Sequence, residues 1–130
     1  MIHNHLNLIT QRIIGSAISV HRELGPGLLE SAYEACMAYE MAEQKLKFDR
    51  QKGLPITYRG CTLDCGYRID FLVENEVVLE LKAIERLEAV HQAQILSYLK
   101  LSNCKVGLLI NFNVKLIKNG ISRFVNKFVD

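Results

Sequence analysis

The sequence lacks a strong excess of either charge. Lys and Arg number 16 and Asp and Glu 14, for a net charge of +2 and a pI near 8.4. A protein that binds nucleic acid through overall charge shows more than this, so any basic patch must be local. The sequence also lacks an uncharged apolar run approaching the roughly 18 residues that a membrane helix needs. The opening residues, MIHNHLNLIT, lack the basic-then-apolar order of a secretory signal, and a cytoplasmic protein is expected. Cysteine is present but not in a metal-binding arrangement. Cys61 and Cys65 form a C-x3-C pair with no second Cys or His pair at zinc spacing, and Cys36 and Cys104 stand apart. Free buried or half-buried thiols are expected. There is no internal repeat, linker or low-complexity tract.

What remains is an ordinary globular composition, 49% hydrophobic and 23% charged over 130 residues. That length fits one domain, residues 1–130, around one core. Leu6, Ile9, Ile13, Ala17 and Val20 repeat at three and four, which predicts a helix over 5–23 ended by Gly25 and Pro26. A second helix is predicted over 28–45 and a third over 87–101. The polar run DRQKG reads as a break, and LPITYRG as a strand beginning after Pro55. Two strands follow, 67–73 and 77–84. KVGLLINF reads as a strand buried on both faces. Asn119-Gly120 sits between two strand-like runs, a hairpin signal. The order α-α-β-β-β-α-β-β-β predicts a mixed α/β domain.

The stretch YRIDFLVENEVVLELKA carries the chemistry. Side chains alternate along a strand, so the odd positions 67–73 and 77–83 form one apolar face, read as the core face of both strands. If the strands form a hairpin, apolar must face apolar, which requires a loop with an odd number of residues. The simplest is Glu74-Asn75-Glu76, with Val73 opposite Val77. Asp70 then lies opposite Glu80, with Lys82 one step further on the same face. Opposed carboxylates about 5 Å apart at Cβ repel. Lys82, water or a divalent cation would relieve the conflict, and hard cations such as Mg²⁺ prefer oxygen ligands. The ordinary reading stands beside this one. The charges line the wet face of a half-buried hairpin, with an ion pair worth at most about 1 kcal/mol.

D-x9-E-x-K across two strands, flanked by helices in this order, resembles the PD-(D/E)XK nuclease superfamily. Gly27-Leu-Leu-Glu30-Ser-Ala-Tyr33 is similar to the G-x-x-E-x-x-Y signature of the GxxExxY proteins grouped with these nucleases, and residues 77–112 look like the same family. The resemblance covers about residues 5–113. It implies a single-domain restriction-endonuclease-like core, a mixed sheet flanked by helices, here with an extra N-terminal helix and a C-terminal β-hairpin. It implies a metal-dependent nuclease using Mg²⁺ or Mn²⁺ on DNA or RNA. Asp70, Glu80 and Lys82 match the catalytic motif, and Glu30 matches the acid of the first core helix as a further metal ligand. Gln94 and Tyr98 match the Q-x-x-x-Y of exonuclease-like members, as water- or DNA-positioning and substrate-contacting groups. Ile69 stands where the superfamily's name has proline.

Helical spacing places Glu30 with Tyr33, and His91 with Gln94 and Tyr98, on shared faces. Tyr33 and His91 are therefore further candidates for substrate contact. The alternatives are a first-turn carboxylate facing the helix dipole, core-edge aromatics and a solvated histidine. Arg50, Lys52, Arg59, Arg68, Arg86 and Lys100 are candidates for tracking phosphates. A non-catalytic module that binds nucleic acid or protein, completed as a homodimer, is the rival to the enzyme. A closed Asp70–Lys82–Glu80 ion-pair network is the second rival.

Overall fold

A computed structural model describes residues 4–127. Helix α1 spans Asn4–Leu24 and α2 spans Glu30–Glu43. Strands β1 (Phe48–Gly53), β2 (Ile56–Tyr58), β3 (Cys61–Leu63), β4 (Arg68–Val73) and β5 (Val77–Lys82) follow. Helix α3 (Ala89–Ser102) leads to β6 (Val106–Asn111), a short 3-10 turn at Ile117–Gly120 and β7 (Ile121–Val125). Five strands form one sheet in the order β1-β4-β5-β6-β7, and β2 and β3 form a separate two-stranded arm. Among the described strands only β5 and β6 run parallel, with α3 as their crossover. Among the described residues no helix is long and apolar enough to cross a membrane.

The sheet is packed on both faces. Ile13, Ala17, Tyr33, Met37 and Met41 of α1 and α2 cover Phe71, Val73, Leu79, Leu81, Leu108 and Ile110. On the other face Ile95, Tyr98 and Leu99 of α3 cover Ile69, Val78 and Leu109. This corrects the expectation of one core face in the β4–β5 pair. Every residue of β5 before Lys82 is buried, Glu80 included, because a strand with a neighbour on each side and helices above and below has no wet face. The alternation of β4 also breaks: Phe71 and Val73 lie against α1 and α2, yet Ile69 joins the α3 side. The chain turns over at Asp70.

Two further expectations change. DRQKG is not a break but most of β1, an edge strand antiparallel to β4. Its residues are exposed apart from Phe48, whose ring stands edge-on to Phe71 at 5.3 Å. Its strand character comes from pairing with β4, which no local pattern announces. Asn119-Gly120 does not join two strands as a tight turn. It lies in the 3-10 turn, and the antiparallel partner of β7 is β6. The four cysteines are free, as expected, but Cys61 and Cys65 are exposed, on and beside the arm, rather than buried or half-buried.

Gly120 has a packing reason of its own. A Cβ there would fall 2.0 Å from the Asn111 carbonyl oxygen, so only glycine lets the two backbones approach. Asn111 is buried, and its side chain closes the end of β5. It accepts from the Ile84 N–H at 3.1 Å and donates to the Ile84 carbonyl at 3.0 Å. The Phe112 N–H bonds the Lys82 carbonyl at 2.9 Å. Overpacking a core position typically costs 1–3 kcal/mol, and a backbone clash that cannot relax lies at the top of that range. Gly120→Ala is expected to lower stability by about 3 kcal/mol or more in urea unfolding, and Gly15→Ala, where the space is open, to leave it unchanged or slightly raised.

Candidate active site

The predicted three-residue loop and its register are present. Val73 pairs with Val77, Leu72 with Val78 and Phe71 with Leu79. The next pair in sequence would be Asp70 with Glu80, and there the ladder stops. The two side chains take over its hydrogen bonds. The Asp70 N–H donates to Glu80 Oε2 at 2.7 Å, and the Leu81 N–H donates to Asp70 Oδ2 at 2.8 Å. The two carboxyl groups accept the bonds that the ladder would have supplied, which lets the strands part here without leaving buried N–H groups bare.

Glu80 is 5% exposed. Burial, and then the neighbouring Asp70 carboxylate, push its pKa from the ordinary 4.5 to about 8. Asp70 is also raised, chiefly by burial, against the Leu81 N–H and Gln51 amide that favour its charged form. Glu30, the first residue of α2, is raised by partial burial and by Asp70 and Glu34, while Lys82 opposes the shift. Three carboxylates thus share one electrostatic neighbourhood. Lys82 is half-buried and its charge acts on all three. Among the described residues it makes no ion pair within 4.0 Å. A closed ion-pair network is therefore not what the structure contains.

Tyr98 approaches from α3. Its hydroxyl pKa is raised by burial and then by Glu80, Tyr67 and Asp70, and its ring meets Tyr67 edge-on at 6.2 Å. Gln94 is half-buried, makes no hydrogen bond to another described residue, and lines the same groove as Tyr98. Two candidates sit elsewhere. Tyr33 has no exposed surface, and its ring stacks on Phe112 at 4.5 Å. Its hydroxyl donates to the Gly25 carbonyl at 2.6 Å and accepts from the Leu28 N–H at 3.2 Å. It fastens the loop that launches α2 and so sets where Glu30 stands. His91 is occupied as a helix cap, its Nδ1 accepting from the Glu88 N–H at 2.8 Å while the Glu88 side chain accepts from the His91 N–H.

Two residues at the site were not singled out in the sequence. Gln51 lies opposite Asp70 with a left-handed φ of 54°, and the β1–β4 ladder skips that pair. Its amide donates to Asp70 Oδ1 at 3.2 Å and to Glu34 Oε1 at 2.5 Å. Glu34, one turn after Glu30, also accepts from Arg50 Nε at 2.8 Å. Gln51 thereby ties β1 and α2 to the Asp70 carboxylate. A non-glycine residue held at positive φ costs on the order of 1–3 kcal/mol and is a recurrent mark of functional sites. No sequence signal announces it, because β1 itself is polar and unpatterned.

Among the described residues no three His, Cys, Asp or Glu side chains are drawn together as a metal-enclosing group. Asp70 and Glu80 nevertheless form an all-oxygen pair in which each carboxylate spends one oxygen on a backbone N–H. That suits a hard cation such as Mg²⁺, which is commonly held by one or two carboxylates and keeps several waters. The buried, charge-deficient Glu80 is the feature that such an ion would satisfy.

A carboxyl with a higher pKa folded than unfolded binds its proton more tightly in the folded state. The stability it contributes is complete below about pH 4.5 and is lost as pH rises toward 8. Asp70 and Glu30 act in the same direction. In chelator, the protein is expected to lose stability between pH 5 and 8 with a slope approaching roughly 1.4 kcal/mol per pH unit. Glu80→Gln is expected to flatten most of that slope in urea titrations. A wild-type profile without slope would contradict the burial of this charge.

A family model for the PD-(D/E)XK nuclease superfamily matches residues 7–124. No curated protein and no solved structure matches the chain.

Proposed function

The chain belongs to the PD-(D/E)XK nuclease superfamily, and from that premise we propose that it hydrolyses phosphodiester bonds of DNA or RNA with Mg²⁺ or Mn²⁺. Asp70, Glu80 and Lys82 are the residues assigned to the chemistry. The observation that carries this reading is the unbalanced site. Buried Glu80 and half-buried Asp70 sit next to each other, and among the described residues no cationic side chain pairs with either within 4.0 Å. A structural ion pair would have closed over these groups; here burial instead holds the proton on Glu80 up to about pH 8, leaving a carboxyl that a bound cation would ionise.

Asp70 and Glu80 are the residues that would hold the cation, with Glu30 adding a third carboxylate directly or through water. A divalent ion bound there acts as a Lewis acid and lowers the pKa of water. Lys82 stands two residues beyond Glu80 and pairs with no carboxylate among the described residues, which supports a role in orienting the attacking water and offsetting charge on the phosphate. The Gln94 amide, without a hydrogen bond to another described residue, serves to position that water or a phosphate oxygen. Tyr98 offers its hydroxyl beside the acids. Gln51 and Glu34 act through Asp70 as positioning residues. In the G-x-x-E-x-x-Y stretch, which relates the chain to the GxxExxY proteins, Glu30 faces the chemistry. Tyr33 anchors the preceding loop, in which Gly27 takes a φ of 100°.

Cleavage assays on single- and double-stranded DNA and RNA, with Mg²⁺, Mn²⁺ or chelator, test the reading. Hydrolysis is expected only with metal, and Lys82→Ala is expected to lower the rate by about 10²-fold or more, the usual size of a lost transition-state contact. Asp70→Asn is expected to abolish Mn²⁺ binding in calorimetry. Activity unchanged in Lys82→Ala would overturn the assignment.

A further inference from the structure

The β2–β3 arm packs chiefly on itself and stands out from the domain. Its base is closed by the Leu54 N–H bonding the Tyr67 carbonyl at 2.9 Å. Ile56 at the root of the arm lines a groove of about 470 Å³ whose other wall is α3, through Val90, Ala93, Ser97 and Leu101, with Tyr67, Tyr98 and Gln94 also on its lining. Ile56 pairs with Leu63 and Tyr58 with Cys61. Cross-strand partners share a face, and residues two apart on a strand share it too. Tyr58 and Leu63 therefore carry the apolar wall outward along the arm, and Arg59 lies over the Tyr58 ring at 5.5 Å. Tyr58 is 58% exposed, Tyr67 44% and Leu63 44%.

This is a large amount of apolar and aromatic surface to leave bare on an arm that contributes to neither core. The one charged residue on the groove lining is a cation, while the acid of the arm, Asp64, lies just past Leu63 and off that lining. Lys100 lines the groove, which contains no carboxylate. A second hollow of about 460 Å³ shares Ala93, Ser97 and Lys100 with the first and adds Lys127, and among the described residues no acid lines it. The carboxylates lie at the inner end, where Tyr67 touches Tyr98 and Tyr98 feels Glu80 and Asp70.

We propose that the groove between the β2–β3 arm and α3 binds a single-stranded oligonucleotide, with bases stacked on Tyr67 and Tyr58 and phosphates led past Lys100 toward Asp70 and Glu80. The proposal rests on the nuclease reading for its direction and adds the substrate class. Unpaired bases stack on aromatic side chains whatever their identity, and a few cations suffice to track the backbone. A duplex hides its base faces and is held through many phosphate contacts. A chain of net charge +2 with aromatics rather than a dense basic patch along the approach to its site fits the single strand.

The test is fluorescence anisotropy in chelator, with labelled 12-mers of single-stranded DNA, single-stranded RNA and duplex DNA. Wild type, Asp70→Asn, Tyr67→Phe and Tyr67→Ala are compared, with light scattering on each. Single strands are expected to bind at least tenfold tighter than duplex. Tyr67→Ala is expected to weaken them roughly 5- to 150-fold and Tyr67→Phe to retain most of the affinity. In metal, Tyr67→Ala is expected to raise KM for a single-stranded substrate while kcat changes little. Equal affinity for duplex, or no loss in Tyr67→Ala, overturns the proposal. So does a stable wild-type dimer that Tyr67→Ala dissociates and that binds no oligonucleotide, which would make the groove an interface between copies. Because binding is read without metal, single-strand binding without cleavage refutes the nuclease reading alone. Cleavage indifferent to Tyr67 refutes this proposal alone.

Discussion

Two side chains do the work of the backbone at the centre of this molecule. Where β4 and β5 would exchange another pair of ladder bonds, the Asp70 N–H turns to the Glu80 carboxylate and the Leu81 N–H to the Asp70 carboxylate. The substitution satisfies the buried backbone while forcing two acids into close company inside the protein. It also turns β4 over, so that Ile69 and Phe71, two residues apart, pack into opposite cores. The site is thus the point where the sheet ceases to be regular, and each neighbouring element reaches it for that reason.

Each surrounding feature answers the charge that this arrangement buries. Lys82 acts on Asp70, Glu80 and Glu30 without engaging any of them. Gln51, held in a left-handed conformation, spans Asp70 and Glu34 and carries an exposed edge strand into the site. Asn111 and Gly120 close the far end of β5 and so limit where Lys82 can stand. Tyr33 performs the same service for Glu30 from the other side. Membership in a nuclease superfamily gives this arrangement its chemical direction. The tension between burial and charge is visible without it, and it is the condition that a divalent cation would relieve.

The parts legible in the sequence were those governed by neighbours along the chain. The helices expected over 5–23, 28–45 and 87–101 match α1, α2 and α3 to within two residues at each end, Leu28 and Leu29 remaining in the loop. The unbroken apolar run of β6 announced a strand buried on both faces. β1 was illegible because only Phe48 packs inward, and its remaining residues are strand because β4 lies alongside. The Asn119-Gly120 dipeptide misled for a related reason. Its glycine answers the approach of the Asn111 carbonyl, nine residues earlier, rather than the geometry of a tight hairpin. Tyr33 and His91 share helical faces with Glu30 and Gln94, but a face shared by spacing is wide enough to turn one residue to the site and its neighbour to a cap or a core.

By itself the sequence determined the register of the β4–β5 pair. A slip of one residue would have parted Phe71 and Val73 from Val77 and Leu79, which pack into the same core, so Asp70 comes next level with Glu80 even though β5 has no wet face. Only the tertiary structure decided that Glu80 is enclosed rather than wet, that Lys82 stands apart from the acids, and that Gln51 and Glu34 join them. Those outcomes depend on which distant segments lie over the strand pair and how much water they exclude. Solvent exclusion is a property of the packed whole, and no stretch of chain encodes it locally.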